Sequence, residues 1–168
     1  NIADTAAIVI DTQPPTSTIS TAQYDGSSGT ITITGDNFNT LGVGNGESVK
    51  SSLDYSKLSW DIDFGDTDSS LSNVSFSESD ITSAVVTSKT VLTLVLTPDA
   101  KTALHATNGF AAEGDASNPN DAIDAAARFI RHAAFSPATT DAKDDATVTH
   151  ADTTAPTITS STADQTDG

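Results

Sequence analysis

The chain of 168 residues has no cysteine and no methionine. Without cysteine, neither a disulfide nor a thiolate metal site can hold the fold together. Basic residues are scarce: seven, against 23 acids, for a net charge of −16. A field of that sign repels nucleic acid and anionic membrane surfaces, and leaves cations, solvent and basic surfaces as partners. Long apolar runs are also missing. The longest, "VLTLVL" at 91–96, is broken by Thr93 and is too short to span a bilayer. Neither nucleic-acid binding nor membrane insertion is therefore expected. No secretory signal opens the chain, so a processed protein or a segment of a longer one is expected. Aromatics reach only 5%: Trp60, two tyrosines and six phenylalanines.

What remains is a chain rich in Ser, Thr, Ala and Asp, with 36% apolar residues. That length suits one ordinary domain with a real core. The mixture suits short, twisted β-strands joined by polar loops, so an all-β fold is expected. In "GTITITGDNF" (29–38), Ile31 and Ile33 alternate with threonine, the pattern of a half-buried strand. In "KLSWDIDF" (57–64), Leu58, Trp60, Ile62 and Phe64 share one face, which makes Trp60 the expected core tryptophan. "DITSAVVTS" (80–88) is β-branched. In "TVLTLVLT" (90–97), Leu92, Leu94 and Leu96 face one way and Val91 and Val95 the other, which predicts a central strand covered on both sides. "ATVTHA" (146–151) is the closing strand. "PDAKTALHA" (98–106) predicts a short helix, with Pro98 in its first turn. "AIDAAARFIRHAAF" (122–135) has helical alanines in a strand's position.

The two ends of the sequence resemble each other. Residues 11–26, "DTQPPTSTISTAQYDG", match residues 152–167 at eight of sixteen positions without a gap, at an offset of 152 − 11 = 141. A fixed period signals modular repetition, and one of this length matches whole domains. The predicted parse is a last strand of a preceding module, or a donated strand, at 1–10. One complete module follows at 11–151, and the linker and first strand of the next at 152–168. Pro14, Pro15 and Pro156 stiffen the joints.

The segments "TITITGDNF", "LDYSKLSWDID", "VSFSESDITSAVVTSKTVLTLVLTPDA", "ARFIRHAAFSPATTDA" and "VTHADTTAPTI" resemble the tandem immunoglobulin-like repeats of giant bacterial surface proteins, among them large adhesins and surface-layer proteins. In "RHAAFSPATTDA" the chain departs from the family's usual turn, because Phe135-Ser136-Pro137 stands in place of a Gly-Asn pair. The resemblance implies an immunoglobulin-like β-sandwich with one short helix, and it tips 122–135 toward strand. It also implies an extracellular, cell-surface location, neighbouring copies or modules of the same protein as partners, and calcium as a stiffener of linkers.

Three groups of acids are candidate cation sites. "DIDFGDTD" places Asp61, Asp63, Asp66 and Asp68 around Gly65. Asp61 and Asp63 share a strand face about 7 Å apart, and a turn at Gly65 would bring the later two back toward them. The twelve-residue EF-hand loop and its closing Glu are absent. At the joints lie Asp4, Asp11, Asp141, Asp144, Asp145 and Asp152, whose mutual repulsion a divalent cation would neutralise. Glu113, Asp115, Asn118, Asn120, Asp121 and Asp124 form the third group. The metal ligands expected from these groups are Asp61, Asp63, Asp66, Asp68, Asp11, Asp145 and Asp152, with Ca2+ as the ion.

No catalytic constellation is legible. His105, His132 and His150 fall in unrelated segments, and neither a G-x-S-x-G elbow nor an H-x-x-x-H pair occurs. A non-enzymatic role is expected: a structural repeat of an adhesin stalk, surface layer or filament, giving length, stiffness and self-association. The alternative is an adhesin module that binds a glycan or protein through loops 39–54 and 108–121, which calls for exposed aromatics at Tyr55 and Phe110.

Overall fold

The computed structural model describes residues 17–38, 45–62, 73–110, 121–130 and 142–151. The expected flanking strand at 1–10 and the joints at 11–16 and 152–168 lie outside the described residues, as do residues 39–44, 63–72, 111–120 and 131–141. Over the described residues the fold is mostly β with one α-helix, and eight strands, β1 (Thr18–Asp25), β2 (Thr30–Asp36), β3 (Leu58–Asp61), β4 (Val74–Ser75), β5 (Ile81–Ser88), β6 (Val91–Leu96), β7 (Ala122–Ala125) and β8 (Lys143–Ala151), form a single curled mixed sheet in the order β4-β3-β7-β8-β1-β2-β6-β5.

Strands β1 (Thr18–Asp25) and β2 (Thr30–Asp36) form an antiparallel hairpin. Its turn is held by Asp25, whose backbone oxygen accepts from Gly29 N at 2.8 Å. The Asp25 carboxylate accepts from Ser27 Oγ at 2.6 Å and Ser28 Oγ at 2.8 Å. Those bonds, with Ser27 first, hold the carboxyl well below the usual range. Gly29, at φ 73, takes the left-handed position that closes the turn. Alternation then does what the sequence predicts: Ile31 and Ile33 are fully buried, and Thr30, Thr32 and Thr34 point outward.

The short strand β3 (Leu58–Asp61) buries Leu58 and Trp60 and pairs with the two-residue β4 (Val74–Ser75). Strands β5 (Ile81–Ser88) and β6 (Val91–Leu96) form a second hairpin, and β6 continues the sheet onto β2. Leu92, Leu94 and Leu96 are buried as expected. Val91 and Val95 are only half-buried, so β6 is covered on one face rather than two. The edge of β5 is partly closed by residues 46–49, which lie between β2 and β3, through a bridge from Ser48 to Val85 and bonds from Gly46 N and Val49 N to the Val86 and Ala84 carbonyls. That cover limits open-edge pairing.

The helix α1 (Pro98–His105) starts where the sequence places it. Thr97 caps it, its hydroxyl accepting from Ala100 N at 3.2 Å, and Pro98 occupies the first turn. Leu104 anchors it in the core. Of the ambiguous stretch 122–135, the first part is strand β7 (Ala122–Ala125) and Ile130 bridges to Leu53; residues 131–135 lie outside the described residues. Among the described residues no helix is long and apolar enough to cross a membrane.

Strand β8 (Lys143–Ala151) starts earlier than "ATVTHA" suggests and joins the two halves of the sheet. Its first half pairs antiparallel with β7, and its last four residues pair parallel with β1, Ala22 with Val148 through Asp25 with Ala151. The core between the halves is built on Trp60, Tyr24, Phe38 and Phe129, all fully buried.

Candidate metal centre

Three strands bring three carboxylates together. Antiparallel pairing of β3 with β7 sets Ser59 opposite Asp124 and Asp61 opposite Ala122, so Asp61 and Asp124 are diagonal neighbours on the face away from Trp60. Between β7 and β8 the register shifts: Ile123 faces Ala146 and Ala125 faces Lys143. Two residues of β8, Asp144 and Asp145, therefore oppose the single Asp124, which is a β-bulge. Asp145 takes φ 55, a left-handed conformation that Asp tolerates better than most residues. Its backbone N–H donates to Asp124 Oδ1 at 3.0 Å. The bulge thus re-aims the start of β8 toward Asp124.

One carboxylate oxygen from each of Asp61, Asp124 and Asp145 lies within 4.8 Å of the others, and all three residues are half-buried. Such a set can hold a metal ion. It offers oxygen alone, the donor of hard cations, and no imidazole or thiolate that would select a softer one. Oxygens at about 2.3–2.6 Å from a calcium ion stand at most about 5 Å apart across it, which this spacing satisfies.

Each of the three sequence groups contributes one member. Asp61 comes from "DIDFGDTD", Asp145 from the joint group and Asp124 from the third. Asp63, Asp66, Asp68, Asp11 and Asp152 lie outside the described residues. The sequence places Asp124 among the acids and amides of 113–124; its place in the triad depends on pairing with β3, which no local spacing reveals. The "KDDA" run ahead of the alternating "TVTHA" is the one local trace of the bulge. Asp121 takes no part in the triad. Its buried carboxylate meets His150 Nε2 at 2.7 Å.

That pair belongs to a second constellation, one that the separation of the histidines in sequence conceals. Tyr24, Trp60, Phe110, His105 and His150 form one aromatic cluster. The rings of Tyr24 and Trp60 meet edge-on at 5.1 Å, and those of His105 and Phe110 stack at 4.8 Å. Tyr24 Oη and His105 Nε2 share a hydrogen bond of 2.8 Å that ties α1 to β1. Burial, with the Asp25 charge behind it, pushes the Tyr24 hydroxyl up to about 12, so it stays protonated. His105 is shifted downward by desolvation, then by Lys101 and His150, although the residue as a whole is exposed.

The sign of the consequence follows from linkage. With its folded pKa below the ordinary 6.5, His105 takes up its proton more readily in the unfolded chain, so stability falls as pH drops through 6.5 and levels off below the folded pKa. The melting temperature of the wild type should fall relative to His105→Gln between neutral pH and about pH 5. Superimposable pH profiles of the two proteins would refute this role.

The aromatics called for by a ligand-binding surface are used elsewhere. Tyr55 is 5% exposed, and its hydroxyl donates to the Lys50 carbonyl at 3.0 Å. Phe110 packs into the aromatic cluster, with its ring against Trp60, His105 and His150. The chain matches no family model, no curated protein and no solved structure.

Proposed function

We propose that this chain is a structural module of an extended, secreted cell-surface protein, stiffened by calcium and joined to further copies of itself. The observation that carries this reading is the parallel pairing of β1 with β8. Because the strands run the same way, the chain enters β1 at one end of the module and leaves β8 at the other. From Thr18 to the level of Ala151 is seven residue steps, about 23 Å at ~3.3 Å each. A module with entry and exit at opposite ends strings into a line, and load applied to both ends passes through the shared β1–β8 ladder. An immunoglobulin-like sandwich suits the same geometry: β8 divides its pairing between β7 and β1, as a strand does when it passes between two facing sheets.

Calcium is the reading of the Asp61, Asp124 and Asp145 triad. The ion would tie β3, β7 and β8 together at the half of β8 that β1 does not pair. Calcium sites of extracellular modules bind at about 10⁻⁴ to 10⁻³ M. At roughly 10 mM free calcium such a site adds about 1–3 kcal/mol, or roughly 3–10 °C in Tm for a domain of this size. Asp124→Asn should lose most of that gain. With chelator, the same variant should melt no lower than wild type, because the amide oxygen still accepts from Asp145 N while one repelling charge is gone. A Tm indifferent to calcium removes the stiffening role.

The array reading is tested on a tandem pair of modules spaced by the 141-residue offset. Small-angle scattering should give a maximum dimension near twice that of one module. A pair folded back on itself, with a dimension close to the single module's, would overturn the reading.

A further inference from the structure

Strands β8, β1, β2, β6 and β5 turn one face to the core and the other outward. On the outer face the register aligns Thr149, Gln23, Thr32, Thr93 and Val85 in a single row across all five strands. Thr21, Thr34 and Val91 form the neighbouring row. These side chains are half-exposed or exposed. The hydroxyls of Thr87 and Thr93 hydrogen-bond to each other at 3.0 Å across β5 and β6. No side chain in the two rows is charged, on a chain whose net charge is −16. The charges that border them are tied down. At one end the Asp25 carboxylate accepts from Ser27 and Ser28, and at the other Asp36 pairs with Lys89 at 3.5 Å.

We propose that this uncharged threonine–valine face is where a second copy of the chain docks, like face to like face. The inference deepens the array reading and rests on it for its setting. Charge decides the occupant. Two molecules of net charge −16 repel one another over most of their surfaces, and a basic partner would be drawn to the acidic regions instead. Only where both surfaces carry no charge does the self-contact escape the penalty of like charges brought together. Threonine presents a methyl group for dry contact and a hydroxyl that can bond across the contact. Five strands at about 4.8 Å and two rows at about 7 Å give roughly 340 Å² per copy. The total, about 670 Å², is below the size of a stable specific interface, so one module pairs only transiently and a row of modules pairs by adding contacts.

Salt supplies the signature. The centre of the face lies about 10 Å from its charged border, close to one Debye length at physiological ionic strength but well inside the roughly 30 Å of about 0.01 M salt. Association should therefore strengthen as salt is added, the opposite of a charge-driven complex. The experiment is sedimentation velocity and amide-shift mapping on the single chain at about 1 mM, in about 0.01 M and about 0.5 M NaCl. The expected result is a concentration-dependent rise in sedimentation coefficient at high salt only, with shifts confined to the rows of Gln23 and Thr21. Thr32→Glu, checked for folding by circular dichroism, should reduce the association at least tenfold, and Thr32→Ser should retain it. A monomer at both salts whose face does not respond to concentration overturns the proposal, whether the face is bare or held by another part of the same chain. Association that weakens with salt, or survives Thr32→Glu, does so too. The array reading fails separately: a collapsed tandem pair refutes it whatever single modules do, and an extended pair of non-associating modules refutes only the docking face.

Discussion

Replacing Trp60 by alanine is expected to remove about 3–5 kcal/mol of stability, a large part of the 5–15 kcal/mol a domain usually has. The indole is fully buried and meets Tyr24, Phe110 and His150, so its loss opens a cavity among side chains from β1, β8 and the segment after α1. Neighbouring rings pinned by their own hydrogen bonds, Tyr24 to His105 and His150 to Asp121, cannot collapse into the space. A second substitution separates volume from polarity. Trp60 Nε1 is buried with no hydrogen-bond partner among the described residues, a donor stripped of water at a cost of about 1–3 kcal/mol. Trp60→Phe loses ring volume but also removes that donor. It should therefore cost far less than the alanine change, on the order of 1 kcal/mol. Urea unfolding followed by far-ultraviolet circular dichroism measures both. Similar losses for the two variants would show that the indole N–H is satisfied in solution and that the cluster is organised differently.

The parts of this fold that could be read from sequence are those where one face is buried and the other is wet. "TITIT", "LSW" and "LTLVL" alternate because β2, β3 and β6 each bury one side, and the side chains report the burial directly. The helix was legible through Pro98, whose role is local. Long-range pairing was not legible. Nothing in "AIDA" or "KDDATVTHA" says that β7 lies between β3 and β8, or that β8 leaves β7 to run beside β1 more than a hundred residues earlier in the chain. The candidate metal centre shows the same division. Composition pointed to carboxylates as the cation ligands, and Asp61 and Asp145 were named. Their common site required Asp124 and a bulge that only strand pairing creates. His105 and His150 were set aside because they are far apart in sequence, yet both pack against Phe110.

The second large effect is expected at Gly35, where the reason is backbone rather than side chain. On β1 the register slips between Ile19 and Thr21, so Ser20 is an extra residue and the strand presses toward β2 at Gly35. A methyl group there would meet the Thr18 carbonyl oxygen inside van der Waals distance, and Phe38 Cζ at 2.7 Å. Phe38 is itself fully buried, and Gly35 N is committed to the Thr90 carbonyl at 3.0 Å, so neither side of the contact can step away freely. Gly35→Ala is expected to cost about 3 kcal/mol, the upper end for overpacking, because a backbone carbonyl cannot change rotamer. Gly46→Ala is the matching control. Among the described residues nothing lies within 4 Å of its added methyl, and only the positive φ of 88 opposes it, so about 1 kcal/mol is expected. The double variant Gly35→Ala/Phe38→Ala tells which contact dominates. If the Thr18 carbonyl is the obstacle, removing the ring restores nothing and adds the cost of its own cavity. Recovery in the double variant would instead assign the strain to Phe38 and leave the β1–β2 bulge free to adjust. Because β1 also carries the parallel pairing to β8, Gly35→Ala should loosen amide protection in both strands and leave the β5–β6 hairpin less affected.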